Sequence, residues 1–260
     1  MLLRCANVTT PDLAAPPACP PTCTACGLRK TGAFSPATQE QLLLLESFRT
    51  GTRPVAAGQQ IIPENRLGTQ LFTLYGGWAM RYKTLSDGRR QILNFLLPGD
   101  FIGLQQELTD NAAHGVEALT DVLLCVFPRD RLWEFYQQDP RLGYALTWLS
   151  ASQERIVDEN LLTNGRRNAT ERVAMLLVQL YRRAERLGMA AHGSIAFPFT
   201  QQHIADALGL SLVHTNKTLR RLAQLGMHLI RDGRLHMVDP RGLASMADYY
   251  DRPLGRAPLI

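Results

Sequence analysis

The stretch TQQHIADALGLSLVHTNKTLRRLAQLGMHLIRDGRLHMVD, residues 200–239, decides the fold of the C-terminal part of this 260-residue chain. Thr200 and Ser211 are suited to cap two successive helices, and Gly209 between them suits a tight turn because it lacks a Cβ. Downstream, the runs HLI and LHMV flank an Asp232-Gly233 pair that favours a two-residue hairpin. Two short helices followed by a hairpin predict a winged helix-turn-helix, whose second helix enters the major groove of DNA.

The candidate DNA contacts lie at the start of the first helix and along the second. Basic side chains there reach phosphates or guanine edges, and Asn216 is able to pair with adenine. Leu212 and Val213 are apolar where base contacts are expected, so they either meet thymine methyl groups or one of them packs inward. The full set of candidates is Thr200, Gln201, Ser211, Leu212, Val213, His214, Asn216, Lys217, Arg220 and Arg221.

The charge distribution favours the same function. The chain carries a net charge of +5, but residues 166–237 hold eleven Arg or Lys against four Asp or Glu, which leaves the remainder near −2. A basic segment beside a near-neutral body indicates a polyanion partner such as double-stranded DNA. The alternative is a solvated basic face with no partner.

The rest of the chain divides by texture into an irregular, cysteine-bearing segment, a strand-rich region, helices and a tail. A long helix is expected over about 141–164, with Pro140 at its start and Gly165 at its end. Its stripe of Leu142, Leu146, Leu149, Gln153, Ile156 and Asn160 has the 4-3 spacing of a coiled-coil dimer seam, although the same pattern fits a helix packed on its own domain. The expected parts are the cysteine-bearing segment over 1–36, the strand-rich sensor domain over 37–130 and the dimerisation helix over 131–165. The DNA-binding domain follows over 166–245, and a loose tail over 246–260.

Composition excludes several classes of protein. An apolar content of 45% supports a packed core, and no run approaches the roughly 20 apolar residues of a membrane helix. The N-terminus lacks the apolar segment of a signal peptide, so a cytoplasmic protein with no membrane partner is expected. No phosphate-binding glycine loop, HExxH or GxSxG motif occurs, and we therefore do not predict an enzyme.

The order of these features resembles the Crp/Fnr family of bacterial transcription regulators. The resemblance rests on LLPGDFIG (residues 96–103), the long helix and the helix-turn-helix with its wing, and it covers about residues 37–245. It implies an α+β fold with an N-terminal β-roll (jelly roll) like that of cyclic-nucleotide-binding domains, a dimerisation helix and a C-terminal winged helix-turn-helix. It also implies a homodimer on a two-fold symmetric DNA site and contact with RNA polymerase.

Family members that bind cyclic nucleotides carry a Glu directly after the FIG motif and an Arg-Ser or Arg-Thr pair about ten residues later. Here Leu104 follows Gly103, and Ala112-Ala113 stand at the position of the pair. No Arg or Lys occurs between residues 104 and 128, so a cyclic phosphate would lack its usual cation. Control by a cyclic nucleotide is not expected.

Five cysteines are too few for a disulfide scaffold, yet three lie within CPPTCTACG, residues 19–27. The Fnr branch of the family holds a [4Fe–4S] cluster on N-terminal cysteines and one β-roll cysteine. Cys23, Cys26 and Cys125 match that pattern, but Gly32 stands where a further cysteine is expected. Cys19 is the proposed fourth ligand, with Cys5 as a weaker substitute.

Other interpretations of the cysteines stay open. Four thiolates also suit a structural zinc ion, two nearby thiols suit a redox disulfide, and Cys125 on an apolar strand suits an inert core residue with no cofactor. The competing function is a redox, zinc or electron-transfer protein whose C-terminal unit serves protein contacts.

The recognition helix also departs from the family pattern. Val213 and Lys217 stand where a Glu and an Arg usually read the half-site, and Thr215 replaces a packed Ile or Val. The usual half-site is therefore not assumed. The target genes, the sign of regulation and the identity of the signal, whether oxygen, nitric oxide or another ligand, are left open by the sequence.

Overall fold

A computed structural model describes residues 22–105, 111–251 and 255–260. It confirms the expected α+β architecture, with a β-roll, a long helix and a C-terminal winged helix-turn-helix. In this described part of the chain, no helix is both long and apolar enough to cross a membrane.

The β-roll is formed by two antiparallel four-stranded sheets that enclose an apolar core. One sheet has the order β1-β8-β3-β6 and the other the order β2-β7-β4-β5. Helix α1 (Gln39–Phe48) precedes the roll and starts with a capping box in which Thr38 accepts from the backbone of Gln41. The strands are β1 (Gly51–Val55), β2 (Gln60–Ile62), β3 (Gln70–Gly76), β4 (Ala79–Thr84), β5 (Arg90–Leu96), β6 (Phe101–Ile102), β7 (Gly115–Ala118) and β8 (Val122–Pro128).

The region expected as one dimerisation segment over 131–165 contains two helices, α2 (Leu132–Gln138) and α3 (Pro140–Arg166). Pro140 occupies the first turn of α3, as predicted, and Asp139 caps the helix, but the helix continues through Gly165 to Arg166. Pro140 fits because its missing N–H has no partner in the first turn of a helix.

The predicted dimer stripe of α3 faces its own β-roll. Leu142, Leu146 and Leu149 are buried in a core shared with α1, β3 and β8. Farther along, Gln153 accepts a hydrogen bond from Asn94, and Asn160 donates one to a backbone carbonyl of β5. The assignment of this stripe to a dimer seam is wrong for these leucines, because the 4-3 spacing marks an apolar face but not what that face packs against.

The C-terminal domain surrounds the helix-turn-helix with supporting elements. Helix α4 (Ala169–Arg186) leads through β9 (Ser194–Ala196) into α5 (Gln201–Leu208) and α6 (Leu212–Gln224). The wing is the hairpin of β10 (His228–Arg231) and β11 (Arg234–Met237), and β11 also pairs with β9. The turn residues Asp232 and Gly233 both have positive φ, as the sequence predicts for a tight hairpin. Helix α7 (Pro240–Met246) closes the domain.

The β-roll and the C-terminal domain pack directly on each other. Phe199 lies 5.3 Å from Trp78 and 4.4 Å from Phe95, measured between ring centroids. Arg183 of α4 donates to the Asp100 carboxylate and to the Phe95 carbonyl, each at 2.7 Å. Asp100 belongs to the LLPGDFIG motif, so this motif connects the β-roll to the DNA-binding domain as well as forming a turn.

The expectation of a loose tail is wrong for residues 255–260. Ala257 forms a parallel bridge with Phe34, and Leu259 and Ile260 are buried beside the β-roll. The Arg29 side chain donates to the Leu259 carbonyl at 2.8 Å, and Thr73 donates to the Ile260 carbonyl. The segment carries no sequence periodicity, so only these distant partners give it a fixed position.

Candidate DNA-binding surface and cysteine site

The two helices of the helix-turn-helix are fixed by local capping. The Thr200 hydroxyl accepts from the backbone N–H of His203 at 3.2 Å, and the Ser211 hydroxyl accepts from that of His214 at 3.2 Å. Gly209 ends α5 in the left-handed conformation, with φ of 61°, where a side chain would be strained. These contacts start α6 at Leu212 and confirm the sequence prediction of the turn.

Helix α6 separates its buried and exposed residues as a recognition helix requires. Thr215, Thr218, Leu219 and Leu222 are buried. All the candidate DNA contacts are exposed except Asn216, which is half-buried with its amide oxygen enclosed and without a hydrogen-bond partner. That orientation keeps the Asn216 oxygen away from a base edge.

The exposed face of α6 combines positive charge with apolar surface. Within the described residues, Lys217, Arg220 and Arg221 form no ion pair, so their charges are available to phosphates. Val213 is 79% exposed and Leu212 is exposed as well, so neither packs inward. This arrangement suits the major groove, where apolar side chains meet thymine methyl groups.

Much of the basic excess counted in the sequence is used inside the protein. Arg167 pairs with Glu159 at 2.8 Å, Arg172 donates to two backbone carbonyls, and Arg234 donates to Ser194. Together with Arg183, these side chains hold domains and strands together. The sequence analysis did not single out Arg231, which the structure exposes on the wing beside Asp232.

The described cysteines lie on β8 of the β-roll and on the segment that precedes α1. Cys125 is on β8, where its two cross-strand neighbours are Thr52 and Thr73. Cys23 and Cys26 precede a short 3₁₀ helix over Gly27–Lys30. Burial raises the pKa of the Cys125 thiol to about 12 and also raises the pKa of Cys23. Cys26 raises the pKa of Cys23 further, and Cys26 and Cys23 both raise that of Cys125, so the thiols lie within electrostatic reach of one another.

Two half-buried arginines lie around these thiols. Arg49 lowers the pKa of Cys125 and lies 3.7 Å from the Glu46 carboxylate, which accepts from the Cys23 backbone N–H. Burial lowers the pKa of Arg29, whereas all three cysteines raise it. The Nε atoms of Arg29 and Arg49 are buried without hydrogen-bond partners. The site therefore places two guanidinium groups and one carboxylate around the thiols.

The described residues supply only part of the expected ligand set. All three described cysteines are free thiols, and Cys19 and Cys5 lie outside the described residues. No group of three or more His, Cys, Asp or Glu side chains in the described ranges has an arrangement that would hold a metal ion.

Comparisons with known proteins match both halves of the chain. Residues 52–139 match the family model of the cyclic nucleotide-binding domain, and residues 171–246 match that of the Crp-like helix-turn-helix domain. The nitrogen fixation regulation protein FixK of Bradyrhizobium diazoefficiens is 28% identical over 86% of this chain and 93% of its own length. The transcriptional activator protein FnrL of Cereibacter sphaeroides is 31% identical over 83% of this chain and 87% of its own length.

A solved structure, that of FixK2 from Bradyrhizobium japonicum, superposes with a TM-score of 0.69 at 27% identity. The alignment covers 78% of this chain and 98% of the FixK2 chain. The likeness therefore extends over the β-roll, the long helix and the helix-turn-helix together.

Proposed function

Because this chain belongs to the Crp/Fnr family of DNA-binding transcription regulators, we propose that it acts as a cytoplasmic homodimer whose DNA binding is controlled by a metal centre. The proposed centre is a [4Fe–4S] cluster held by Cys19, Cys23, Cys26 and Cys125. Its relatives are transcription regulators and not enzymes. Several relatives are named as activators, which supports activation through contact with RNA polymerase. The observation that supports the proposal is that three half-buried thiols and two half-buried arginines lie within electrostatic reach of one another.

Regulators of this family are typically dimeric, and the exposed face of α3 supports a dimer here. Tyr144 is 70% exposed and Leu161 is 72% exposed, which leaves apolar surface on a long helix without a partner. Seven of the exposed positions are spaced three or four residues apart, as in a coiled-coil seam: Tyr144, Thr147, Ala151, Glu154, Asp158, Leu161 and Gly165. This proposed seam lies opposite the stripe that the sequence analysis favoured.

The dimer is tested by replacing Leu161 with Glu and measuring the molar mass in solution. We expect twice the chain mass for the wild type and the single chain mass for the variant, because the added carboxylate would be buried in the seam. Arg141→Glu, an exposed position near the start of the same helix, is the matched control. A monomeric wild type would contradict the proposal.

The residues of the cysteine site suit a thiolate-bound metal centre in chemistry and charge. A [4Fe–4S] cluster supplies one-electron chemistry and sensitivity to oxygen when four thiolates hold it. Four thiolates around such a cluster leave a net negative charge, which the Arg29 and Arg49 guanidinium groups would balance in an apolar setting. Their unpartnered Nε atoms are donors available to sulfur.

The alternatives differ in what they require of the thiols. A structural zinc ion would use the same four cysteines and the same positive surroundings. A thiol–disulfide switch needs a reactive thiolate, and the pKa of about 12 at Cys125 disfavours that role because the thiolate is the nucleophile. A metal ion overcomes this obstacle, since it binds the deprotonated thiol directly.

Control by a cyclic nucleotide is not part of the proposal. In the described residues after the FIG motif, no Arg or Lys precedes Arg129. The cavity between the β-roll and α3 has a volume of 70 Å³. Pockets for drug-sized ligands start at about 300 Å³, so a nucleotide would have to enlarge this cavity greatly.

The first experiment is purification without oxygen, followed by a visible spectrum and assays of iron, sulfide and zinc. We expect about four irons and four sulfides per chain and a brown colour that air bleaches. Cys19→Ser and Cys125→Ser should lose most of the iron, whereas Cys5→Ser is the matched control and should keep it. An iron-free protein with one zinc per chain would replace the cluster with a structural zinc ion, and a metal-free protein would refute both.

Control of DNA binding is tested by titrating a labelled duplex with the same anaerobic protein before and after exposure to air. We expect the affinity for the specific duplex to fall when the iron is lost. Cys125→Ser, prepared in parallel, should show low affinity that air does not change. An affinity that is equal in all four samples would refute regulation through the cysteine site, while the DNA-binding function would stand.

A further inference from the structure

Residues 255–260, here called the strap, connect the DNA-binding domain to the segment that carries Cys23 and Cys26. At one end of the strap, Arg186 of α4 donates to the Gly255 carbonyl at 3.2 Å. At the other end, two aliphatic side chains are buried beside the β-roll. The strap is therefore held by both halves of the chain.

The middle of the strap pairs with the backbone of residues 33–35. Ala257 donates to the Ala33 carbonyl at 2.9 Å and accepts from the Ser35 backbone N–H at 2.8 Å. The Ser35 hydroxyl also donates to the Arg256 carbonyl at 3.0 Å. In peptide recognition by strand addition, such backbone pairing gives affinity and the burial of side chains gives selectivity. Residues 33–35 thus receive the strap as an extended peptide.

The last residues of the strap contact groups that belong to the cysteine site. Arg29, whose pKa all three described cysteines raise, donates to the Leu259 carbonyl at 2.8 Å. Thr73, the cross-strand neighbour of Cys125, donates to the Ile260 carbonyl. Ile260 also belongs to the apolar cluster against which Cys125 packs. The strap therefore forms part of the surroundings of the thiols.

A second connection joins the same segment to the same helix. Phe34, the bridge partner of the strap, lies against Gly99 in the LLPGDFIG turn, where any side chain would overlap its ring. The next residue, Asp100, accepts from Arg183 of α4 at 2.7 Å. The strap and this turn together connect residues 27–35 to α4, the helix that leads into the helix-turn-helix.

The contacts of the strap suit reversible release. It is held by hydrogen bonds to its backbone and by the buried side chains of Leu259 and Ile260, whereas its other side chains are exposed or half-buried. A segment with few buried apolar contacts opens locally without unfolding of the domains that it joins. The strap is therefore able to leave its groove while the β-roll and α4 stay folded.

We propose that the strap couples the cysteine site to the DNA-binding domain, docked while the site is intact and released when the site is disrupted. Because it contacts both, a ligand that requires the docked strap also stabilises the packing of α4 on the β-roll, and linkage makes this effect reciprocal. The link to DNA binding rests on the proposed function, whereas the docking of the strap does not.

The first test measures docking in metal-free, full-length protein. The double variant Leu259→Ser with Ile260→Ser removes both aliphatic anchors, and Arg256→Gln, at an exposed position of the strap, is the matched control. We expect amide hydrogen exchange over residues 27–35 to become about tenfold faster in the double variant and to stay unchanged in the control. Strands β4 and β5 should keep their protection, because release of the strap is a local opening.

Alkylation of the thiols gives an independent measure of the same release. We expect a maleimide at about pH 8 to modify Cys23 and Cys125 about tenfold faster in the double variant than in the wild type. A synthetic peptide with the sequence GRAPLI, residues 255–260, should slow this reaction again at about 1 mM, because a tethered segment has an effective concentration in that range. A scrambled peptide should not slow it.

If the double variant does not fold, Ala257→Pro tests the strap instead, because it removes the N–H that donates to Ala33. Unchanged exchange over residues 27–35 and unchanged alkylation would overturn the proposal. Loss of protection throughout the β-roll would overturn it as well, because the strap would then stabilise the whole domain without acting as a local contact.

The second test titrates a labelled duplex with anaerobic, iron-bearing protein. We expect the double variant to bind the specific duplex at least about fivefold more weakly than the wild type, at the low end of typical coupling between two sites. Arg256→Gln should bind like the wild type. Equal affinity in the double variant would overturn the coupling. An iron-free wild type would instead refute the proposed cluster, and hydrogen exchange and alkylation would still decide whether the strap docks.

Discussion

Acidification should destabilise this protein in large part through one buried side chain, His114. Burial, together with Arg81 and Lys83, lowers the pKa of His114 from 6.5 to about 4. Between these two values the unfolded chain binds a proton that the folded chain excludes, so the free energy of unfolding falls as the pH falls. The contribution is complete above about pH 6.5 and is lost as the pH approaches 4.

The size of the effect follows from the distance between the two pKa values. At about 1.4 kcal/mol for each pH unit, the loss reaches about 3 kcal/mol near pH 4. That is a large part of the roughly 5–15 kcal/mol that stabilises a typical domain. Urea unfolding followed by fluorescence at several pH values measures it, with protein concentration held constant because a dimer's stability depends on concentration.

The comparison is between the wild type and His114→Gln. We expect the variant to lose about 3 kcal/mol less than the wild type between about pH 7 and about pH 4, because its side chain stays neutral throughout. His214→Gln, at an exposed position on α6, is the matched control for the substitution. Parallel pH profiles of the wild type and His114→Gln would refute the reasoning.

Three further predictions follow from the DNA-binding domain and the cysteine site. Thr215→Val should raise the free energy of unfolding by about 1 kcal/mol in urea titrations, because the Thr215 hydroxyl is buried without a partner. In anisotropy titrations with DNA, Lys217→Ala should change the base preference of binding. Arg221→Ala should weaken binding to all sequences evenly and reduce the salt slope by about 1. Arg182→Ala, which breaks the pair with Glu185, is the control and should have neither effect. In metal-free protein at about pH 8, Cys125 should react with a maleimide about a thousandfold more slowly than in the urea-unfolded chain, because little of its thiol is deprotonated. Mass spectrometry of the modified protein measures the two rates.

Local signals in the sequence were sufficient for the DNA-binding unit. Thr200, Ser211 and the Asp232-Gly233 turn act on backbone groups within three residues of themselves, so their effect is visible without any distant partner. The same holds for Asp139 and Pro140 at the start of α3. Elements fixed by caps and turns were therefore placed almost to the residue, and the order of these elements was enough to indicate the family.

Contacts between distant segments were decided only by the tertiary structure. Periodicity identified the apolar stripe of α3, but its burial against the β-roll depends on α1, β3 and β8. Residues 255–260 carry no periodic signal, and their position depends on Phe34, Thr73 and Arg29. The share of basic charge left for DNA likewise depends on which arginines find carbonyl or carboxylate partners inside the fold.

The features that bear on regulation likewise depend partly on local sequence and partly on tertiary contacts. The sequence alone shows that cysteines occur at Fnr-like positions and that no Arg or Lys lies between residues 104 and 128. Only the fold placed Cys125 near Cys23 and Cys26, and only the fold buried Arg81 beside a small cavity. The physical reason is that capping and turn formation are local interactions, whereas burial and the pairing of charges depend on residues far apart in the chain.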